Sequence, residues 1–585
     1  MSRPMCVLKH FRHVGCTFRR LHHPVVATHP DRNVVRWRSS PPQQVEKKSD
    51  VDAILSRMTP DADMSQAVAL LKALRVHVLF HGQTQAPLHG DARFQGACTS
   101  FERGCRGAGA GVLVSGLRSL LELGLPPSAP CVQAAQEMLL QRMHTLDTSQ
   151  MVACLYYHHR FMQSPLQLRV VSALVAGVLD RLDALLPSDA LLLLPSLHLF
   201  PDRALVEERL ADLVPHMTEK ETHKLLTAMA QRCVRSVPIL RAVASSCVGH
   251  GRPDLKEALA VLYALRGLHF YHPQLYGHLL HHLPREVEAC AHPTLVARLL
   301  TVCGHLRWRH TDLLDACSLW IQRNLSSCGS RELVAFVLAA AALNYCPEEG
   351  LLGQVVPLLG EEGQRPPSVT LDLAWALAVL DSVPRELLLR VLSKDFYNTL
   401  LAECGSTPSN HLKLLNLKGV LRKEHPECVF GCDLYLEPIK LSESPTIASC
   451  RQHVAQVLAN FVPRDKCLSM HQVTDTGVFI DAEFIMNKYM KPLSLKSYGV
   501  LSEPESTLKK LPPHTKRLSL SVLFHRDLTL SSRALGGAHA LGQRLLTHAG
   551  YTPVTVMYDE FSENKTELQK AKFLLERIKT CAAIS

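Results

Sequence analysis

The chain of 585 residues is poor in aromatic side chains, which make up 6% of it, and it has no apolar run of membrane-spanning length. A transmembrane helix needs about 20 consecutive apolar residues. The nearest candidates, 190–200 and 334–343, are shorter, and Pro195 interrupts the first. Few aromatics combined with abundant leucine favour helix. The sequence therefore predicts a soluble, mainly helical protein without a transmembrane segment.

The nineteen cysteines do not form the dense framework of a small secreted domain, because they are scattered singly along the chain. Most of them, such as Cys154, Cys303 and Cys317, lie in apolar helical contexts and are expected to pack as small hydrophobic residues. A structural zinc site needs two close ligand pairs, and only the loose pair Cys428 and Cys432 is present. We therefore expect a reducing compartment and no metal or other cofactor.

Acidic residues are nearly missing from positions 1–40, which hold eight Arg or Lys and a single Asp. This Arg-rich, acid-poor composition, without an apolar core, is typical of a mitochondrial transit peptide; a disordered basic tail is the alternative. The segment supplies +7 of the formal charge of +11, so the remainder of the chain is only about +4. Residues 41–60 are rich in Pro, Gln, Lys and Ser and are predicted to be a linker.

Residues 61–400 have helical periodicity almost throughout, and the pattern repeats. A leucine followed two residues later by an aromatic residue recurs at Leu268, Leu306 and Leu343, and Leu380 continues the spacing without the aromatic residue. Weaker matches to this repeat lie at 123–125 and 197–199. A two-helix unit of this size buries its apolar face only against neighbours, which predicts an α-solenoid. An irregular helical bundle is the alternative.

The pattern changes after residue 405. Residues 405–505 contain loops and short mixed apolar runs and are predicted to be a mixed α+β region. Residues 515–580 are predicted to form a small α/β module in the order strand, helix, strand, helix, at 516–524, 532–549, 552–558 and 566–580.

Basic side chains concentrate in two places. Residues 222–311 hold eleven Lys or Arg against four acids, and residues 509–533 hold six against one. Cations contact phosphates and arginine planes stack on unpaired bases, so these stretches predict RNA contact, with an ordinary solvated face as the alternative. Trp308 is expected to be buried, because its repeat equivalents are Phe270 and Tyr345. The predicted RNA-binding residues are Arg232, Arg235, Arg241, Arg307, Arg309, Lys509, Lys510, Lys516 and Arg517.

Residues His525–Leu528 match the start of a protein-kinase catalytic loop, but the other residues that kinase catalysis needs are missing. The metal-binding Asn should stand five residues after Asp527, where Ser532 is found, and no Asp-Phe-Gly follows. The 58 residues that follow Asp527 cannot hold a kinase C-lobe. Protein kinase activity is therefore rejected.

The C-terminal module resembles a RAP domain through the runs Leu541–Tyr551, Val554–Phe561 and Leu568–Ile578. The runs Arg235–Ala242, Leu371–Leu377 and Gly477–Glu483 are similar to the FAST kinase domain-containing family. This resemblance implies two FAST kinase-like subdomains, near 330–400 and at 405–505, ahead of a RAP domain at 515–580. It further implies a protein of the mitochondrial matrix that binds mitochondrial transcripts and influences their stability and processing, together with other RNA-processing proteins.

RAP domains share, by this resemblance, a PD-(D/E)xK nuclease-like fold. Nuclease activity needs carboxylates that cluster around a divalent metal, and the candidates here are Asp527, Asp559 and Glu560. Asp559 and Glu560 would point to opposite faces if they lay on a strand, so no catalytic residue is assigned. The leading hypothesis is a non-enzymatic RNA-binding protein. The alternatives are a metal-dependent endoribonuclease acting on precursor RNA and a scaffold that recruits processing enzymes without binding RNA.

Overall fold

The computed structural model describes residues 46–58, 63–81, 86–159, 164–359, 365–427, 434, 436, 444–498, 510–563 and 565–582. The predicted transit peptide, Cys428, Cys432 and Lys509 lie outside these residues. The chain divides into two compact units. The N-terminal unit holds the described residues up to Pro253 together with Ala260–His281, and the C-terminal unit holds Asp254–Leu259 and the described residues from His282 onward. None of the described helices combines the length and apolarity that a bilayer crossing requires.

The N-terminal unit is built from helices. They are α1 (Glu46–Ser56), α2 (Met64–His81), α3 (Ala86–His89), α4 (Ala92–Gly104), α5 (Ala110–Glu122), α6 (Pro130–Gln141), α7 (Thr148–His158), α8 (Pro165–Leu179), α9 (Pro187–Leu193), α10 (Arg203–Leu213), α11 (Glu219–Gln231) and α12 (Val237–Gly249). Helices α13 (Leu255–Gly267) and α14 (Pro273–Glu288) contain the unit boundaries.

Local sequence fixes where many of these helices begin. Helices α7, α8 and α11 start with capping boxes. In each, the N-cap side chain accepts a hydrogen bond from the backbone amide of the third helical residue, and the side chain of that third residue accepts one from the N-cap amide. Helices α6, α8 and α9 have proline in the first turn, where no intrahelical amide bond is lost.

Helices of the N-terminal unit pack on their near neighbours along the chain. Helix α5 contacts α6 and α7, α7 contacts α8 and α9, and α10 and α11 both contact α12. Their facing side chains, such as Leu120, Leu155, Val170 and Leu225, are buried. The predicted burial of Cys154 is also confirmed.

The C-terminal unit begins with a similar array. Its helices are α15 (Pro293–Leu306), α16 (Thr311–Arg323), α17 (Ser330–Ala342), α18 (Leu351–Leu358), α19 (Pro367–Val379), α20 (Arg385–Val391), α21 (Lys394–Cys404) and α22 (Pro408–Glu424). Helix α15 packs on α17, α17 on α19, and α19 on α22, so these four helices form one continuous apolar layer. Trp308, Cys303 and Cys317 are buried beside this layer, as predicted.

The repeated leucines mark a recurring helix end. The residue after each leucine lies in the left-handed region, with φ of 49° at His269, 55° at Arg307, 49° at Asn344 and 56° at Asp381. At three of the four ends the next amide donates back to the carbonyl five residues earlier, which is the Schellman cap. These bonds are Phe270 N to Leu265 O, Tyr345 N to Ala340 O and Ser382 N to Leu377 O.

The same cap extends the repeat beyond the leucine pattern. The weaker repeat match at 123–125 is confirmed, since Gly124 has φ of 85° and the Leu125 amide donates to Leu120 O. Cys233, with φ of 55°, forms a further cap that the sequence pattern missed. The predicted repeat match at 197–199 is wrong. These residues end a 3-10 helix, Leu194–Leu199, and none of them has a left-handed backbone conformation.

We expect His269→Gly to stabilise the protein by about 0.5–1 kcal/mol, because glycine adopts positive φ without the steric cost that a Cβ atom brings. His269 is exposed, so little packing is lost. Gly124→Ala, at the equivalent cap, should destabilise by about 1 kcal/mol. Thermal unfolding of the full chain measures both, and equal shifts of the same sign would contradict the assignment.

The C-terminal end of the chain forms a mixed sheet covered by helices. Its strands are β2 (Leu468–Val473), β3 (Phe479–Asn487), β4 (Pro492–Leu493), β5 (Thr515–Leu523) and β7 (Tyr551–Met557), in the order β2-β3-β5-β7 with β4 paired to β3. The β5–β7 pair is parallel and the others are antiparallel. The accompanying helices are α23 (Pro445–Leu458), α24 (Arg464–Cys467), α25 (Leu495–Tyr498), α26 (Gly537–His548), α27 (Tyr558–Ser562) and α28 (Glu567–Ala582).

Helices cover both faces of this sheet. Helices α23 and α28 bury an apolar core that includes Phe484, Leu518 and Val554. Helix α26, which connects the parallel strands β5 and β7, packs on the other face, where its Leu546 joins Ile480 and Tyr551 of the sheet. Two very short strands, β1 (Trp308–Arg309) and β6 (Leu530–Ser531), pair in parallel away from the main sheet.

The structure confirms the mainly helical class and the small mixed sheet, and it differs from the predictions in three further places. The predicted linker contains helix α1. The predicted boundary between 405–505 and 515–580 cuts through one sheet, because β3 pairs with β5. The strand predicted at 552–558 ends at Met557, and Tyr558 instead begins helix α27, which also contains Asp559 and Glu560.

Candidate nucleic-acid interface

Several arginines of the N-terminal unit have structural roles. Arg142 donates to the carbonyls of Arg106 and Ala108, and Arg181 donates to Leu146 O at 2.7 Å. Arg209 donates in the same way to Leu182 O and Asp183 O. Each guanidinium thus binds carbonyls of a turn between two helices. Formal charge therefore overstates the number of cations available to a ligand.

The predicted RNA-binding residues Arg232, Arg235 and Arg241 are all exposed. They lie at the end of α11, in the following turn and on α12. Arg235 donates from Nε to Leu268 O at 3.2 Å, so part of its guanidinium supports the adjacent turn. Arg232 and Arg241 form no ion pair with any described residue.

Arg232 belongs to a cluster that sequence reasoning missed. Its guanidinium lies 5.7 Å from the centre of the Tyr156 ring. Tyr156 meets Tyr157 edge to face at 5.0 Å, and Arg118 lies 5.3 Å from the Tyr157 ring. We call these four residues, Arg118, Tyr157, Tyr156 and Arg232, the Arg–Tyr ladder.

Three helices position the ladder. Arg118 projects from α5, the tyrosines from the last turns of α7, and Arg232 from the C-cap of α11. Both guanidinium groups remain solvent-accessible, with the Arg118 side chain 45% exposed. Burial and the nearby Glu122 raise the pKa of Tyr157, so this ring stays neutral at physiological pH. Arg118 Nε also lies 3.5 Å from Glu122 Oε2. Aromatic rings and exposed guanidinium planes are the groups on which unpaired bases stack.

Arg307 and Arg309 were predicted to contact RNA, and the structure places them beside the C-terminal module. Arg307 Nη1 donates to His525 O at 3.0 Å and to Leu528 O at 3.1 Å. Burial lowers the pKa of Arg307, although it remains a cation. Arg309 is half-buried on β1, opposite Ser531. This geometry favours a structural role for Arg307.

The basic residues predicted at the C-terminal module differ in how far they are buried. Lys510 is exposed and Lys516 is half-buried. Arg517 is only 5% exposed, so its guanidinium is not available to a ligand. It lies 2.5 Å from Glu483 Oε1, and Glu483 Oε2 accepts from the Tyr551 hydroxyl at 3.0 Å. This buried network joins β3, β5 and β7.

The nuclease candidates all face cations. Asp559 lies 2.5 Å from Arg533 Nη2, which lowers the pKa of this carboxyl against the opposing effect of burial. Asp527 lies 3.6 Å from Arg526 and accepts from the Phe524 amide at 2.9 Å, and Glu560 lies 3.9 Å from Arg577. Among the described residues of this unit, no three carboxylate, histidine or cysteine groups converge closely enough to hold one ion. The residues therefore do not fit a nuclease metal site.

The C-terminal module is docked on the ends of successive repeats. Gly537, the first residue of α26, lies against the carbonyl of Ala341 at the end of α17. Arg544 donates to Ala378 O and Val379 O at the end of α19. Its Nε also donates to Glu424 at 3.0 Å. Helix C-termini carry partial negative charge, which favours an arginine at this position.

The fold therefore defines a class, a mainly helical protein whose C-terminal unit carries a small mixed sheet beside the helix ends. Residues 333–401, which span most of α17–α21, match FAST kinase-like protein, subdomain 1. FAST kinase domain-containing protein 4 of Rattus norvegicus is 25% identical over 556 residues, covering 92% of this chain and 88% of that protein. The Homo sapiens protein of the same name is 24% identical over 546 residues, covering 89% and 84%.

A further relative, FAST kinase domain-containing protein 1, mitochondrial, of Mus musculus, is 21% identical over 296 residues, covering 47% of this chain and 36% of that protein. The chain is a relative of the FAST kinase domain-containing proteins, and the resemblance predicted from its residues is confirmed. The likeness of the C-terminal module to a RAP domain stays a prediction.

Proposed function

We propose that the chain is a mitochondrial RNA-binding protein that regulates the stability and processing of mitochondrial mRNAs. In this proposal the helical repeats form an α-solenoid that holds single-stranded RNA, and a RAP module docked on the last repeats completes the binding protein. The Arg–Tyr ladder carries the proposal, because it combines phosphate-binding cations and aromatic rings on one surface of the N-terminal unit.

The ladder suits an unpaired strand better than a duplex. A guanidinium held over a tyrosine ring keeps one planar face for a base, and its N–H groups bind phosphate oxygens. Bases within a duplex are already stacked, whereas unpaired bases can turn outward onto such planes. RNA is preferred over single-stranded DNA because of the family relationship, not because of the ladder.

The compartment is proposed from two independent observations. The relatives named FAST kinase domain-containing protein 1 carry the word mitochondrial in their names. Residues 1–40 of this chain have the Arg-rich, acid-poor composition of a mitochondrial transit peptide. We therefore propose the mitochondrial matrix, where precursor transcripts and other RNA-processing proteins would be its partners.

We expect Arg118→Gln combined with Arg232→Gln to weaken RNA binding of the full chain about tenfold. Each lost phosphate contact should also reduce the slope of log affinity against log salt by about 0.7 for single strands. Fluorescence anisotropy with a labelled single-stranded RNA of mixed sequence, at several salt concentrations, measures both. Arg203→Gln is the control, because this exposed arginine of the same unit pairs only with Glu207.

The same experiment separates the alternatives. Absence of RNA binding by the unsubstituted chain would overturn the proposal and favour a scaffold. Cleavage of the RNA with Mg²⁺ or Mn²⁺, abolished by Asp559→Asn, would overturn the non-enzymatic assignment and favour the endoribonuclease. Equal affinity and equal salt slope in the double variant and in Arg203→Gln would exclude the ladder as the binding surface.

A further inference from the structure

The turn between β3 and β4 exposes an aromatic side chain without a packing role. Tyr489 is 70% exposed, more than any other large apolar or aromatic side chain of the described residues. The turn that carries it is well ordered by hydrogen bonds. Asn487 Oδ1 accepts from the amides of Tyr489 and Lys491, both at 3.0 Å, and the Asn487 amide donates to Lys491 O at 3.1 Å. The ring is therefore displayed by a built turn at the tip of the hairpin.

Lys488 lies beside this ring, and further lysines and an arginine lie on neighbouring segments. Lys488 Nζ lies 5.1 Å from the ring centre. Helix α24 packs against both β4 and α25, which brings three short cationic segments together. We define the hairpin-tip surface as Arg464, Lys466, Lys488, Tyr489, Lys491 and Lys496.

The cationic side chains of this surface are accessible to a ligand. Arg464, Lys466, Lys488, Lys491 and Lys496 are exposed, and none of them forms an ion pair with a described residue. Asp465 is the one acid within the segments that carry them. Exposed lysines without partners produce a local positive potential that attracts a polyanion.

We propose that the hairpin-tip surface is a second contact site for single-stranded RNA, in which Tyr489 stacks on a base and the lysines bind the flanking phosphates. The proposal rests on the RNA-binding function proposed above and adds a site in the C-terminal unit. An open aromatic ring flanked by cations provides the two interactions that hold an unpaired strand without reading its sequence. An anionic membrane is less suited, because charged rather than apolar side chains adjoin Tyr489, and membrane insertion requires apolar area.

The test uses the full chain and fluorescein-labelled oligouridine. Tyr489→Ala is expected to weaken binding about tenfold, the effect of removing one base–aromatic stack. Tyr489→Phe should retain the affinity, because the ring is kept, whereas Tyr489→Leu should lose it. Lys488→Gln with Lys491→Gln should lower the salt slope by about 1.4, which corresponds to two phosphate contacts.

The control is Leu568→Ala, which removes another highly exposed side chain, 66% exposed, from α28 of the same unit. It should change neither affinity nor slope. If the unsubstituted chain binds oligouridine and Tyr489→Ala binds equally well, the hairpin-tip site is excluded while the proposed function stands. If vesicles containing anionic phospholipid lose binding in Tyr489→Ala and oligouridine does not, the surface is a membrane contact and the inference is overturned.

Discussion

Gly537→Ala is expected to destabilise the C-terminal unit by about 3 kcal/mol, at the upper end of the range for overpacking. A Cβ atom at this position would lie 1.9 Å from Ala341 O and 2.9 Å from a methyl group of Val379. The closest atom belongs to the backbone of α17, which cannot move aside as a flexible side chain can. The substitution should therefore displace α26 from the repeat ends.

Thermal or urea unfolding of the full chain measures this effect. Gly353→Ala is the matched control, because Gly353 lies inside helix α18 and a Cβ atom there would meet nothing within 4 Å. The control should be stabilised by up to about 1 kcal/mol, since alanine favours helix over glycine. An unchanged unfolding transition in Gly537→Ala would contradict the close docking of α26 on α17.

Glu483→Ala is expected to cost about 3–5 kcal/mol, because it leaves the Arg517 guanidinium buried without its countercharge. Glu483 is 0% exposed and Arg517 is 5% exposed, so water cannot replace the lost carboxylate. Tyr551→Phe removes one hydrogen bond to the same carboxylate and should cost about 1.5–3 kcal/mol.

A double variant tests whether the cost comes from the unpaired charge. Glu483→Met with Arg517→Met removes both charges and should recover most of the stability that Glu483→Ala loses. Unfolding in denaturant gives the comparison. A double variant as unstable as Glu483→Ala would show that the network contributes through packing and hydrogen-bond geometry instead.

The helical repeats could be predicted because their signal is local. The leucine that precedes each left-handed cap is visible at Leu268, Leu306, Leu343 and Leu380, since spacing along the chain is enough to find it. The cap at Cys233 was missed because Arg232 stands at the position of the leucine and Val234 at that of the aromatic residue. Any residue can occupy a left-handed cap at modest cost, so the backbone conformation repeats more faithfully than the sequence.

The sheet and the candidate site depend on partners that are remote along the chain. Local alternation identified β5, but it cannot show that β3 pairs with it across the predicted boundary. Arg307 and Arg517 were indistinguishable from surface cations, since their carbonyl and carboxylate partners lie elsewhere in the sequence. The Arg–Tyr ladder was missed for the same reason, because Arg232 stands 76 residues from Tyr156.

Tyr489 was missed for a different reason. A single tyrosine between two lysines is common in sequences, and only the fractional exposure of its ring separates it from a core residue. The patch that includes Lys510 and Lys516 could be predicted, because the density of charged residues can be read from composition. Which of these side chains faces solvent is decided by strand register, which composition does not report.

The bonds of Arg307 to residues 218 and 221 positions further along the chain have a consequence for biosynthesis. Until residues 525–544 have been synthesised, the ends of α15, α17 and α19 lack the groups that later cover them. Contacts of such long range form slowly, because a large loop must close before they are gained. The unfinished chain therefore presents helix-end carbonyls that are still uncovered, until those residues have emerged.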